Sequence, residues 1–237
     1  MLVQSTGLNY SSYNKKTPIS RSFGHGNCCS ESSYSTKEKL AITSCATLGV
    51  LASIALMAKH AGYSLNPAKL FKNIKKSYLA TTDFKAKEVI IMGAGSCLGG
   101  LAGGYMIDKN PANRRAKRRE TLMQIGNVSM PILTVDLLVD KLLKHKSEGI
   151  RAVAGLCGVA IGVTISNILM NKINNIIFKE KKGEGRGVKV TDYSAHLDDV
   201  VVAASYISKA DWIHAIGRLI PAALIIPGIE VGHKQAN

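Results

Sequence analysis

Residues 89–107, VIIMGAGSCLGGLAGGYMI, contain no charged side chain and place glycines at Gly95, Gly99 and Gly103. A helix rises ~1.5 Å per residue, so an uncharged run of this length roughly matches the ~30 Å hydrocarbon core of a bilayer. Glycines four apart share one helical face and admit a second backbone. This matters in lipid, where burying apolar side chains gains little. The run therefore predicts a membrane-spanning helix with a smooth face for a partner helix.

Four more segments extend that expectation: 40–57, 122–139, 152–170 and 212–231. The small-residue spacing recurs as Cys45, Gly49 and Ser53 in the first, and as Ala154, Gly158, Gly162 and Ser166 in the fourth. Composition agrees, since 46% of residues are hydrophobic while the formal net charge is +15, so the charges must crowd between apolar runs. The five cysteines form an odd set, and Cys45, Cys97 and Cys157 lie inside apolar runs, which argues against a disulfide framework. Cys28 and Cys29 are adjacent in a polar region, as surface thiols or as a point of metal or lipid attachment.

The order along the chain predicts a disordered polar tail over 1–36, a helical membrane domain over 37–232 and a short tail over 233–237. No cleavable signal peptide is expected, because the first apolar run begins near Leu40 instead of following a short basic head. Lys37, Lys39 and Lys59 would anchor the first span at the interfaces. Asn66 and Pro67 form a helix start, an N-cap followed by a first-turn proline. Behind them Leu70, Phe71, Ile74 and Tyr78 recur at helical spacing among Lys69, Lys72, Lys75 and Lys76. Such a basic amphipathic helix either lies in the headgroup layer of an anionic leaflet or docks on the rest of the chain.

Residues 108–120, DKNPANRRAKRRE, are read as a connector that holds phospholipid headgroups through Arg114, Arg115, Arg118 and Arg119. No nucleic-acid partner is expected, because interleaved aromatics and a known reading module are missing. Residues 121–143 are ambiguous: their apolar positions suit a span, whereas Gln124, Asn127, Asp136 and Asp140 argue against lipid on every side. Asp136 is the residue to suspect in an ion or proton path, and the simpler alternative puts both aspartates at the water-facing end. Residues 171–196 are polar, with Gly183, Gly185 and Gly187 marking a flexible region. His196, Asp198 and Asp199 cluster without the spacing of a ligand set, so neither a metal nor a cofactor is expected. The last run carries His214, Arg218, Pro221 and Pro227, which predicts a kinked helix or, as a minority alternative, a broken helix at a transport site.

Gly93, Gly95 and Gly99 approximate a dinucleotide fingerprint, but as GxGxxxG, and the region that should supply a second strand and its acidic residue is rich in arginine. With five spans and the N-terminus inside, the tail, the arginine cluster and 172–209 share the cytoplasmic side, in the direction of the positive-inside rule. The fold expected is an all-α, polytopic integral membrane helical bundle with four to six apolar segments and glycine-zipper packing. The expected setting is the lipid bilayer with anionic phospholipid headgroups. The glycine faces also leave self-association with a second copy open. The leading functional expectation is a structural or interaction protein without catalytic residues. A small transporter or pore using Asp136, His214 and Arg218 is the alternative, and a dinucleotide-binding enzyme a minor one.

Overall fold

A computed structural model describes residues 34–64, 86–179, 185–189, 192–193 and 219–236. Every regular element among these residues is helical. Helix α1 is Thr36–His60, α2 is Ala86–Ile107 and α3 is Pro111–Val135, which continues as a π-helical stretch, Asp136–Leu142. Helix α4 is Glu148–Phe178, and the C-terminal pair is α5, Ile220–Ala223, and α6, Ile225–His233. Four of these helical segments are long and apolar enough to cross a membrane: Thr36–His60, Ala86–Ile107, Pro111–Val139 and Glu148–Phe178.

Local chemistry sets the helix starts. Ser35 and Glu38 form a reciprocal capping box at α1, with the Ser35 N–H donating to Glu38 Oε2 at 2.8 Å. At α3, Asn110 Oδ1 accepts from the Ala112 N–H at 2.9 Å and Pro111 occupies the first turn. The arginine-rich 108–120 segment is therefore not a connector, as the sequence suggested. From Pro111 onward it forms the opening turns of α3, and the true connector is only residues 108–110. The asparagine–proline signature used at Asn66 and Pro67 was present here too, masked by the density of charge.

Helix α4 runs on to Phe178 and stops at Lys179, which adopts a left-handed conformation with φ 51°. It thus takes in the first part of the region expected to be flexible. Pro131 lies inside α3 and cannot donate a backbone hydrogen bond, and the switch to π-helical geometry follows within two turns. In the C-terminal pair the helix is interrupted at Leu224, just ahead of Pro227. The amphipathic helix expected around Lys72, Lys75 and Lys76 lies outside the described residues.

Helix α2 is the centre of the assembly and meets α1 on one side and α6 on another. Gly95, Gly99 and Gly103 face Gly49 and Ser53, Cys45 and Ala46, and Ile42 and Cys45 of α1, so those two helices are antiparallel. Ser96, Gly100 and Gly104 face Gly228 and Gly232, so α6 runs parallel to α2. A methyl group at Gly99 or Gly100 would fall on the partner's backbone carbonyl. The approach is held by the Ser53 hydroxyl, which donates to the Gly49 carbonyl at 3.0 Å or the Ile91 carbonyl at 3.2 Å, and by Ser96, which donates to the Ile225 carbonyl at 3.3 Å.

Helices α3 and α4 form a second antiparallel pair. Gly162 packs on the backbone of Pro131, Gly158 on Val135, and Ser166 donates to Asn127 Oδ1 at 2.8 Å. A buried apolar cluster that includes Val50, Met92, Val128 and Leu224 joins the two pairs. Large aliphatic side chains point outward instead: Leu48 is 63% exposed, Leu98 58% and Ile168 55%. Strict alternation over five spans would leave the C-terminus at the far end from the start of α1. The structure corrects this, because the Lys234 carbonyl accepts from Lys117 beside Tyr34, at the α1 start.

Replacing Gly99 by leucine should push α1 from α2 and destabilise the chain by about 1–3 kcal/mol or more, the usual cost of overpacking. Gly149, near the exposed start of α4, has no atom within 4 Å of an added methyl, so Gly149→Ala should leave stability unchanged or slightly raised. Thermal unfolding in detergent followed by helical circular dichroism separates the two, and equal melting of Gly99→Leu and the unaltered chain would contradict the described contact.

Candidate anion-binding cleft

The starts of α1 and α3 and the ends of α2, α4 and α6 meet at one end of the bundle. Lys117, on the second turn of α3, is fully buried there. Its ammonium lies 3.5 Å from Asp108 Oδ2 and donates to the Tyr34 hydroxyl at 2.8 Å and to the Lys234 carbonyl at 2.6 Å. The Tyr34 hydroxyl in turn donates to Asp108 Oδ2 at 2.7 Å, and Asn113 Nδ2 donates to the same oxygen at 2.8 Å. A buried charge is tolerated when it is paired and its hydrogen-bonding capacity is used. This clasp does so while tying together three regions remote in sequence. Burial pushes the Tyr34 phenol up to about 12, with the neighbouring Asp108 adding to the shift. Burial also acts to raise Asp108. The donors Tyr34, Asn110 and Asn113, with the Lys117 charge, outweigh it and hold the carboxyl below the ordinary value.

One turn further along α3, the buried Glu120 carboxylate accepts from Gln124 Nε2 at 3.0 Å, and Gln124 also reaches Glu230 Oε2 at 2.5 Å. Arg186 comes in from the 185–189 segment, with Nη2 3.1 Å from Glu120 and 2.5 Å from Asp192. Asn171 on α4 fixes that segment by accepting from the Arg186 N–H at 3.0 Å and donating to the Arg186 carbonyl at 2.9 Å. Burial works against the Arg186 charge, but Asp192, Glu120 and Glu230 raise its pKa above the normal arginine value.

Beside this network lies an open cleft of about 550 Å³. Among the described residues its charged lining is Arg115 and Arg119 from α3, Arg186 and Lys189 from the incoming segment, Lys234 from the C-terminus, and one carboxylate, Glu120. Asn171, Asn174 and Gln235 supply amides. Burial lowers the Lys234 pKa. Glu120 opposes that shift, while Lys189, Arg186 and Arg119 press it further down, as expected where like charges converge. Such a concentration of cations attracts anions.

The structure places the residues singled out from sequence as follows. Arg115 and Arg119 line the cleft, and Arg115 also donates to the Phe178 carbonyl. Arg118 lies over the Phe178 ring at 5.9 Å. Arg114 turns back to cap α2, donating to the Asp108 and Tyr105 carbonyls at 3.0 and 3.1 Å. Gly95, Gly99 and Gly103 face α1, and Gly158 and Gly162 face α3. Asp136 is half-buried at the start of the π-helical stretch, at the other end of α3 from the cleft. His214, Arg218 and the group His196, Asp198 and Asp199 lie outside the described residues. Gly93, Gly95 and Gly99 fall within the continuous helix α2, without the strand and loop a dinucleotide fingerprint needs.

Sequence inspection missed Lys117, Glu120, Arg186 and Lys234 as members of one site. The local signal for the first two was the positions 117, 120, 121 and 124, which continue the buried face of α3 into the charged run.

Lys117→Met leaves Asp108 short of its counter-charge and should cost about 3–5 kcal/mol, the usual penalty for splitting a buried pair. Because the folded Asp108 pKa is depressed, its stabilisation is complete above the unfolded value near 3.8 and is lost as pH falls through the lower folded value. Tyr34 has the opposite sign: its contribution is complete below 10 and is lost as pH rises toward about 12. Melting temperature measured against pH should therefore show an acid limb flattened by Asp108→Asn and an alkaline limb flattened by Tyr34→Phe. Unchanged limbs in those variants would refute the assignments.

No family model, curated protein or solved structure matches this chain.

Proposed function

We propose that this chain is a multi-pass helical membrane protein with a structural or interaction role, its basic end seated in the headgroup layer of an anionic leaflet. The observation that carries the proposal is the apolar outer surface of long helices packed through small residues. Small residues line the helix–helix contacts, and many large aliphatic side chains point outward, on helices long enough to span. Water would penalise that outer surface, whereas hydrocarbon accepts it.

Glycine-zipper packing is part of the proposal, and it acts within the chain. What supports this is that Gly95, Gly99 and Gly103 are covered by α1, and Gly158 and Gly162 by α3. Any association between copies would then use other surfaces. The cations on the opening turns of α3 and near the C-terminus share one end, consistent with placement on the cytoplasmic side by the positive-inside rule.

Cysteine labelling tests the setting. Cys157 is exposed on the outer side of α4, while Cys97 is buried against other helices. In a Cys28→Ser/Cys29→Ser background reconstituted in vesicles, a membrane-impermeant maleimide should leave Cys157 unmodified, because a thiol in hydrocarbon neither ionises nor meets the reagent. Unfolding in detergent and denaturant should expose it. Rapid labelling of Cys157 in intact vesicles would count against the proposal.

A further inference from the structure

The cleft contains more than general positive charge. Five cations from three separate stretches of chain converge on one concavity, and the one carboxylate among the described lining residues, Glu120, is already engaged by Arg186 and Gln124. Among the described residues, buried polar atoms without a hydrogen-bond partner on the lining side chains include Arg186 Nε, a donor, and Asn174 Oδ1, an acceptor. Asn174 spends its Nδ2 on the Arg119 carbonyl at 3.2 Å, which fixes the amide with that oxygen unused. Buried polar groups are satisfied in the great majority of cases, and these two atoms belong to residues that line the cationic cleft.

We propose that this cleft binds a phosphate ester, with the phosphate among Arg119, Lys189 and Lys234. Arginine and lysine together give bidentate and point-charge contacts to phosphate oxygens. The volume, about 550 Å³, lies in the range for small-molecule pockets and exceeds what a bare phosphate needs. Two sources share this chemistry: the headgroup of a phosphate-bearing lipid and a free phosphate compound. The lipid source deepens the headgroup placement proposed above and rests on it. Phosphate recognition itself does not.

The test uses the full chain with two probes. Inorganic phosphate is titrated into protein in uncharged detergent, and phosphatidic acid is offered in nanodiscs of phosphatidylcholine, with retained lipid read by native mass spectrometry. Lys189→Gln and Lys234→Gln should each weaken binding about tenfold, the loss expected for one charge-assisted contact. Lys144→Gln, an equal change of net charge on an exposed residue at the other end of α3, should not. Melting temperatures confirm folding, and should Lys234→Gln fail to fold, Lys189→Gln carries the test.

Binding of both probes with this pattern supports a site for which phosphate suffices. Binding of phosphatidic acid alone, with the same pattern, identifies the lipid headgroup as the source. Binding of neither probe, or equal weakening by Lys144→Gln, overturns the proposal. Because the phosphate titration needs no bilayer, its failure is distinguishable from failure of the membrane placement, which cysteine labelling reads separately.

Discussion

The close approach of backbones along α2 is the constraint on which the rest of the structure depends. Two rows of small residues, 95, 99 and 103 on one side and 96, 100 and 104 on another, let α1 and α6 come within reach of its carbonyls. Side chains of any size would hold these helices apart, and the hydroxyls of Ser53 and Ser96 could not bridge the gaps. In the proposed bilayer setting this geometry is what makes association favourable, because the exposed leucines and isoleucines are equally content in lipid. With α6 parallel to α2, the C-terminal residues arrive at the end where α1 and α3 begin.

That arrival creates the polar end of the molecule. The Lys234 carbonyl takes a hydrogen bond from Lys117, so the C-terminal turn and the buried clasp depend on one another. Desolvating Lys117 and Glu120 is costly by itself, and the cost is offset because each ion has a partner of opposite sign and nearby hydrogen bonds. The same packing brings Arg186 and Lys189 beside α3. Glycine contacts in the middle of the bundle thus determine where charge collects at its end, which links the apolar half of the sequence to the basic half.

Much of the helical framework was legible in sequence, and the polar site was not. The run 89–107 lies within Ala86–Ile107, and the four-residue spacing of small residues marks the faces of α2 and α4 that meet neighbours. Those signals are local and periodic. Gly228 and Gly232 share the same spacing, but the prolines and charges of the last run drew attention from them. The 108–120 stretch reads as solvent because guanidinium and ammonium groups normally are solvated. Only tertiary structure reveals that Lys117 is enclosed, since its partners come from residues 34, 108 and 234. The partners of Arg186 were equally beyond a linear reading, because Glu120 and Glu230 lie far from it in the chain.

The measurement that bears most directly on the account is alkaline carbonate extraction of membranes from cells expressing the full chain. A bundle whose large aliphatic side chains face hydrocarbon must stay in the bilayer pellet after carbonate strips proteins held by charge alone. Retention is the predicted result. Release into the supernatant would contradict the membrane setting, and would mean that the outward-facing leucines and isoleucines are covered by something other than lipid.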